Sequence, residues 1–220
     1  MNVDRNLAFL ARLVRVLTWP WVRYQYRGGA CAATLETGII AANHRSMFDV
    51  AAGLVGLHHF GHYPRLLIER KYVEGKWTAP LARAIGAIPV DRGEHKGAAL
   101  AAAVAALRQG TSILVMPEGR LHRDPDDPTT VGPASTGVAR MAMASGRPII
   151  PAAAIGTEAV WPGGSYYPRL NPFRRRRVVT IHVADDAMYL PADGDPREQT
   201  DLVMGRISSL IAEVVHGSPG

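Results

Sequence analysis

The stretch "GIIAANHRSMFDV", residues 38–50, decides the fold. Its first half is a short apolar run that ends at Asn43, which is typical of a buried strand. Ser46 and Asp49 form a capping-box pattern, and the apolar residues from Ser46 to about Leu57 predict a buried helix. A buried strand, a tight turn and a buried helix in direct succession indicate an α/β protein.

The rest of the chain alternates in the same way. Helices are predicted over residues 77–85, 94–108, 136–145 and 200–215. Strands are predicted in "PRLLIER", "GAIPVDRG", "TSILVMPEG", "RPIIPAAAIG" and "RRVVTIHVAD". This alternation predicts a central, largely buried mixed sheet flanked by helices. With no internal repeat and no linker, residues 27–220 are expected to form a single domain.

Composition narrows the possible classes of protein. The chain has 220 residues, a formal net charge of +6 and a sequence pI of about 9.8. A basic surface favours anionic partners such as nucleic acid, lipid headgroups or phosphorylated substrates. The single Cys31 excludes an internal disulfide framework and a cysteine-only metal site. The N-terminus lacks the continuous apolar core of a secretory signal, so none is expected.

The N-terminal segment, residues 7–26, mixes apolar residues with arginines and ends in tryptophans and tyrosines. Its charges interrupt it too often for a transmembrane span, which needs roughly 20 mostly apolar residues. We expect a membrane-interfacial amphipathic helix that ends near Pro20, within a unit comprising residues 1–26. A helix packed on the domain's own core fits equally well, and the two interpretations are compatible.

His44 and Asp49 are the candidate catalytic pair. On one continuous helix, side chains five residues apart point about 140° away from each other. The two can meet only if His44 precedes the helix, which would place it at the carboxyl edge of the sheet, where ligand sites of α/β proteins lie. A carboxylate on Nδ1–H would fix the tautomer of a histidine that takes a proton from an alcohol. A capped helix beside an ordinary polar histidine remains the alternative.

Three further blocks follow "NHRSMFD" in order: "GAIPVDRG" (86–93), "VMPEGR" (115–120) and "GRPIIPAAAIG" (146–156). Together the four blocks resemble those of the glycerolipid acyltransferase family, typified by 1-acylglycerol-3-phosphate acyltransferases. The resemblance implies that His44 is the general base and that Asp49 orients it. It implies a fatty acyl thioester donor, acyl-CoA or acyl carrier protein, with a lysophospholipid acceptor and no cofactor or metal. Its substrate-binding residues would be Asn43, Arg92, Glu118, Gly119 and Arg120.

The chain departs from the family pattern after Glu118-Gly119. The common Thr-Arg-Ser is replaced by Arg120-Leu121-His122, and "PASTG" (133–137) lacks a lysine that many members carry. These changes leave a different or non-phosphorylated acceptor open. They bear less on the reaction itself.

Other classes fit less well. No serine-hydrolase elbow, P-loop or dinucleotide fingerprint is present, and the histidines of "HFGH" (59–62) have no acidic or thiol partners in register. "YYPRLNPFRRRR" (166–177) would suit a non-catalytic basic module that binds membranes or RNA, although no nucleic-acid motif is found. A degenerate fold that carries lipid is a third possibility. The sequence favours a peripheral enzyme on the cytoplasmic side of the cell membrane, with membrane lipids and no nucleic acid as partners.

Overall fold

A computed structural model describes residues 2–76, 78–90, 96–122, 130–163, 165–171 and 175–217. Its centre is one seven-stranded sheet with the strand order β1-β7-β6-β2-β5-β3-β4. The strands are β1 (Val22–Gly28), β2 (Ile39–Ala42), β3 (Arg65–Glu69), β4 (Ile88–Val90), β5 (Ile113–Val115), β6 (Ile149–Ile155) and β7 (Arg177–Val183).

The sheet is mixed, as the sequence predicted. Strands β6, β2, β5, β3 and β4 run parallel to one another. Strand β7 runs antiparallel to β6, and β1 pairs with β7 in parallel. The carboxyl ends of the five parallel strands therefore meet at one edge, where β1 and β7 begin.

Helices cover both faces of this sheet. They are α1 (Val3–Thr18), α2 (Ala30–Thr34), α3 (Asp49–His59), α4 (Arg70–Val73), α5 (Ala79–Ala84), α6 (Lys96–Arg108), α7 (Gly137–Ser145), α8 (Thr157–Val160) and α9 (Pro196–Val215). The boundaries predicted for α5, α6, α7 and α9 differ from these by a few residues.

Successive residues of the central strands point to opposite faces of the sheet, and each face has its own hydrophobic core. Ile39, Ile113 and Ile149 pack with the helices α6, α7 and α9 on one face. The next residue in each strand, Ile40, Leu114 or Ile150, packs on the other face with Phe48 of the turn before α3 and Val160 of α8. Side chains alternate along a strand, so a sheet that is covered on both faces requires the continuous apolar runs seen in the sequence.

The N-terminal helix ends at Thr18, close to the predicted end near Pro20. Strand β1 begins at Val22, so the last residues of the N-terminal segment belong to the sheet and the proposed boundary at residue 26 falls inside a strand. Pro20 interrupts the helix, and the alternation of Val22, Tyr24 and Tyr26 with polar residues then suits a strand. The arginines of the segment obscured this strand pattern in the sequence.

Helix α1 has two apolar faces. Leu7 and Ala11 are buried on the inner face, which packs against α3. Phe9, Leu13, Val16 and Leu17 are exposed on the outer face. The core-packing interpretation is therefore confirmed, and an apolar stripe remains on the surface. Within the described residues, no helix combines the length and apolar character needed to cross a bilayer.

Candidate active site

The turn between β2 and α3 holds the predicted pair together. Strand β2 ends at Ala42 and α3 begins at Asp49, so His44 precedes the helix, as the spacing required. His44 Nδ1 lies 3.0 Å from Asp49 Oδ2. The His44 side chain is 19% exposed, whereas that of Asp49 is fully buried. A carboxylate can only accept hydrogen bonds, so this contact assigns the proton to Nδ1 and leaves Nε2 as an acceptor.

Backbone amides of the turn also bind Asp49. Its Oδ2 accepts hydrogen bonds from the N–H groups of Arg45, at 2.6 Å, and Ser46, at 2.7 Å. Ser46 Oγ accepts in turn from the N–H of Phe48 at 3.0 Å. Only one of the two bonds of the predicted capping box is present, because the Ser46 hydroxyl binds the N–H of Phe48 rather than that of Asp49, and the regular helix starts three residues after Ser46.

Thr157 also contacts Asp49, and no local pattern in the sequence pointed to it. Its Oγ1 donates to Asp49 Oδ1 at 2.5 Å, and the residue is fully buried. The preceding Gly156 has a φ of +83°, and a Cβ there would clash with the Val178 carbonyl oxygen. Glycine therefore permits the tight turn between β6 and α8 that brings Thr157 to the site.

Two predicted substrate-binding residues are engaged by the protein backbone. The side-chain amide of Asn43 donates to the Ala154 carbonyl at 3.0 Å and accepts from the Ala154 N–H at 2.8 Å. Glu118 Oε1 accepts from the N–H of His44 at 2.8 Å, and Oε2 accepts from the N–H of Gly132 at 2.9 Å. Both side chains are buried, so we interpret them as holding the His44 turn in place rather than as direct substrate contacts.

The remaining predicted substrate-binding residues are Gly119, Arg120 and Arg92. Gly119, with a φ of +64°, lines a cavity beside His44. Arg120 follows it and is exposed. Arg92 lies outside the described residues, so its predicted place at the site stays a prediction.

The cavity beside His44 has a volume of about 460 Å³. His44 and Gly119 form part of its lining, and the rest of the lining is apolar. The apolar lining comes from Val50, Leu66, Leu67, Ile68, Val90, Leu114, Val115 and Met116. The volume is within the usual range for small-molecule sites, about 300–1,000 Å³. A histidine with an oriented ring in the lining of an apolar cavity can act on the polar end of a long apolar ligand.

The histidines of "HFGH" have packing roles in the structure. His59 stacks on Tyr26, with ring centroids 3.8 Å apart, and a ring nitrogen of His62 contacts the Ala32 carbonyl. Burial lowers the pKa of the adjacent His58, and the positive charges of Arg12 and Arg15 lower it further. Among the residues that the structure describes, no three His, Cys, Asp or Glu side chains gather as a metal site would require.

Comparison with known proteins places this arrangement in a family. The family model described as "Acyltransferase" matches residues 24–155, which include β2, the His44 turn, Glu118 and all of β6. The chain belongs to this acyltransferase family. The resemblance found in the sequence blocks is thereby confirmed.

A solved structure agrees with the acyltransferase fold. The crystal structure of the 1-acyl-sn-glycerophosphate (LPA) acyltransferase PlsC from Thermotoga maritima superposes with a TM-score of 0.74 at 18% sequence identity. The match covers 94% of this chain and 79% of that one. At this identity the match concerns the fold. No curated protein matches the sequence significantly.

Proposed function

We propose that this acyltransferase transfers a fatty acyl group from an acyl thioester to a hydroxyl of a lysophospholipid, 1-acylglycerol-3-phosphate. The observation that carries the proposal is the contact between buried Asp49 and the Nδ1 of His44, which lines an apolar cavity. Family membership supports acyl transfer as the reaction, and the Thermotoga maritima structure of the same fold is that of an LPA acyltransferase.

The reaction needs one base. His44 Nε2 takes the proton of the acceptor hydroxyl while its oxygen attacks the thioester carbonyl carbon. The carbon–sulfur bond then breaks, and the thiolate takes the proton from the imidazolium. Asp49 stabilises the imidazolium that exists between these two transfers. The turn amides and Thr157 hold the carboxylate in one orientation, so little reorganisation accompanies the charge change.

The apolar cavity suits the acyl chain. Its leucine, isoleucine and valine lining would bury methylenes at about 0.8 kcal/mol each. A chain that enters it with its carboxyl end at His44 would present the thioester carbonyl to the attacking hydroxyl. The donor is then a coenzyme A or acyl carrier protein thioester, whose carrier remains outside the cavity.

Arginines are the proposed contacts of the acceptor phosphate. Arg120 is exposed directly after Gly119, which lines the cavity. Arg92 follows the predicted strand of "GAIPVDRG" and would approach the same edge. A phosphate near neutral pH carries close to two charges and is bound best by several guanidinium or amide donors.

The acceptor would be reached from a membrane surface. The outer stripe of α1 exposes four apolar side chains, and Arg12 and Arg15 beside it are exposed as well. Such a helix lies in the interface of anionic bilayers. This supports peripheral attachment to a membrane, and the cytoplasmic side remains part of the proposal.

Product analysis tests the proposed function. Purified protein is incubated with one labelled long-chain acyl-CoA and, separately, lysophosphatidate, other lysophospholipids, monoacylglycerol and glycerol 3-phosphate. The same incubations are repeated with the labelled acyl group on acyl carrier protein. We expect labelled phosphatidate as the main product. Transfer to monoacylglycerol alone would move the assignment to a non-phosphorylated acceptor, and no transfer from either acyl-CoA or acyl carrier protein would refute it.

A further inference from the structure

The loop after α8 exposes aromatic and basic side chains together. Tyr166 is 90% exposed and Tyr167 is 80% exposed, and Arg169 is exposed beside them. The loop backbone is nevertheless held to the domain. Trp161 Nε1 donates to the Ser165 carbonyl at 2.9 Å, and the N–H of Arg169 donates to the Val160 carbonyl at 2.7 Å. The two rings therefore project from an anchored segment.

This loop starts next to the candidate active site. The Trp161 carbonyl accepts a hydrogen bond from Ser46 Oγ at 2.6 Å, and Ser46 is two residues from His44. The exposed tyrosines thus belong to the carboxyl edge of the parallel strands, the edge at which His44 lies.

A second exposed group lies at the same edge. Arg176 is placed over the ring of Trp19, 5.0 Å from its centroid, and Arg176 Nη2 donates to the Val22 carbonyl at 2.8 Å. Val22 at the start of β1 pairs with Arg177 at the start of β7. Thr180, three residues further along β7, pairs with Ile155 at the carboxyl end of β6. Trp19 and Arg176 therefore extend beyond the end of β6, and Arg175 next to them is exposed.

The apolar stripe of α1 leads into this group. Phe9, Leu13, Val16 and Leu17 occupy one face of the helix, and Trp19 follows at its carboxyl end. Three of these four side chains, those of Leu13, Val16 and Leu17, are aliphatic and offer nothing for nucleotide bases to stack on, whereas all four insert readily among acyl chains. Aromatic rings and arginines suit the headgroup region, and arginines are attracted to anionic lipids. The combination favours a lipid bilayer over RNA.

We infer that a docking edge made of Trp19, Tyr166, Tyr167, Arg169, Arg175 and Arg176 binds the headgroups of an anionic bilayer, with the outer stripe of α1 continuing the contact. The loop after α8 thus adds a second element to the attachment by the N-terminal helix. Attachment here turns the His44 edge toward the membrane. The value of that orientation rests on the proposed function, since a lysophospholipid acceptor would then pass from the bilayer to His44 without crossing water.

Vesicle binding by the full chain tests the inference. Flotation is measured with phosphatidylcholine vesicles that contain phosphatidylglycerol and with pure phosphatidylcholine vesicles. Binding to single-stranded RNA is measured by gel shift at the same salt concentration. The variants are Tyr166→Ser with Tyr167→Ser, and Arg169→Gln with Arg175→Gln. The matched controls lie away from this edge: Tyr189→Ser for the aromatic change, and Arg108→Gln with Arg140→Gln for the charge change.

The wild type is expected to bind the anionic vesicles best. The double arginine variant should lose about 25-fold in affinity for them, about fivefold for each arginine, and the double tyrosine variant should bind both kinds of vesicle less well. The control variants should bind as the wild type does. All variants should keep wild-type activity on a monomeric short-chain acceptor, because none of these residues contacts the candidate active site.

Equal binding by the docking-edge and control variants would overturn the inference. The inference would also be overturned if the wild type bound RNA more tightly than anionic vesicles and the docking-edge variants lost that RNA binding. Binding is measured without substrate, so its result is independent of the reaction. If the wild type binds vesicles as expected but transfers no acyl group, only the proposed function is refuted. If the wild type transfers acyl groups but the docking-edge variants bind vesicles as well as the wild type does, only this inference is refuted.

Discussion

The two edges of the sheet each carry a cavity, and they differ in what their charged groups do. The amino edge has the larger cavity, about 550 Å³, against about 460 Å³ at the carboxyl edge. At the amino edge Arg65 Nη1 pairs with Asp4 Oδ1 at 2.9 Å in a partly exposed ion pair. At the carboxyl edge a fully buried carboxylate orients a histidine toward an apolar lining. The two cavities therefore differ little in size, and the oriented histidine–carboxylate pair is what distinguishes the carboxyl edge.

The charged groups of the carboxyl edge are also held by more hydrogen bonds than those of the amino edge. Asp49 accepts from two backbone amides and one hydroxyl, and Glu118 binds the N–H of His44. The Asp4–Arg65 pair is solvent-screened, and such pairs contribute roughly 0–1 kcal/mol. If the two edges differ in this way, replacing an aspartate by asparagine should reduce activity far more at the carboxyl edge than at the amino edge.

Asp49→Asn should have the largest effect of the four substitutions that probe this difference. The amide weakens imidazolium stabilisation and allows the wrong tautomer of His44, so we expect kcat to fall on the order of 10³-fold or more. Steady-state kinetics with acyl-CoA and lysophosphatidate measure this, and circular dichroism checks the fold. A kcat within tenfold of wild type in a folded variant would break the distinction between the edges.

Arg120→Ala should have the next largest effect. Loss of a charge-assisted contact to the acceptor phosphate is expected to reduce kcat/KM by about 2 kcal/mol, through a higher KM and a lower kcat. Arg120→Lys should recover only part, because an ammonium cannot form the bidentate fork. Wild-type kinetics for the alanine variant would mean that the phosphate, if there is one, is bound elsewhere, and Arg92→Ala is the next variant to measure.

Thr157→Val should lower kcat about tenfold with little change in KM. The valine keeps the shape of the side chain but removes a hydrogen bond to a buried carboxylate, which contributes about 1.5–3 kcal/mol. Thr157→Ser keeps the hydroxyl and is the matched control. Equal losses of kcat in the valine and serine variants would show that the packing of the side chain, and not its hydroxyl, supports Asp49.

Asp4→Asn should have the smallest effect. It repeats the Asp49→Asn change at the amino edge, where the carboxylate only pairs with Arg65. We expect unchanged kcat/KM and a free energy of unfolding within about 1 kcal/mol of wild type by denaturant titration. A large loss of activity would mean that the amino-edge cavity takes part in the reaction.

The sequence predicted those features whose signals are local. The apolar runs of β2, β5 and β6 and the alanine-rich helix α6 needed only neighbouring residues to be recognised. The meeting of His44 with Asp49 could also be foreseen, since a histidine just after a strand and an aspartate five residues later in the first turn of a helix can approach each other. The short helices α2, α4 and α8 were not predicted, because four or five residues carry too weak a periodicity.

Features that depend on distant pairing could not be predicted. Strand β1 is defined by its pairing with β7, about 150 residues away, and arginines between its apolar residues obscured the alternation. Thr157 reaches Asp49 across 108 positions of sequence. Asn43 and Glu118 were recognised as site residues, yet their bonds to backbone groups of Ala154, His44 and Gly132 become visible only in the fold.

Acyl transfer by His44→Ala tests the central claim most directly. The variant is compared with wild type under saturating labelled acyl-CoA and lysophosphatidate, with circular dichroism and thermal unfolding as checks on the fold. A folded variant that has lost nearly all turnover is the predicted result, because no other described group at the cavity is placed to take the proton from the acceptor hydroxyl. A folded variant that keeps a substantial share of wild-type turnover would contradict the assignment of His44 as the general base.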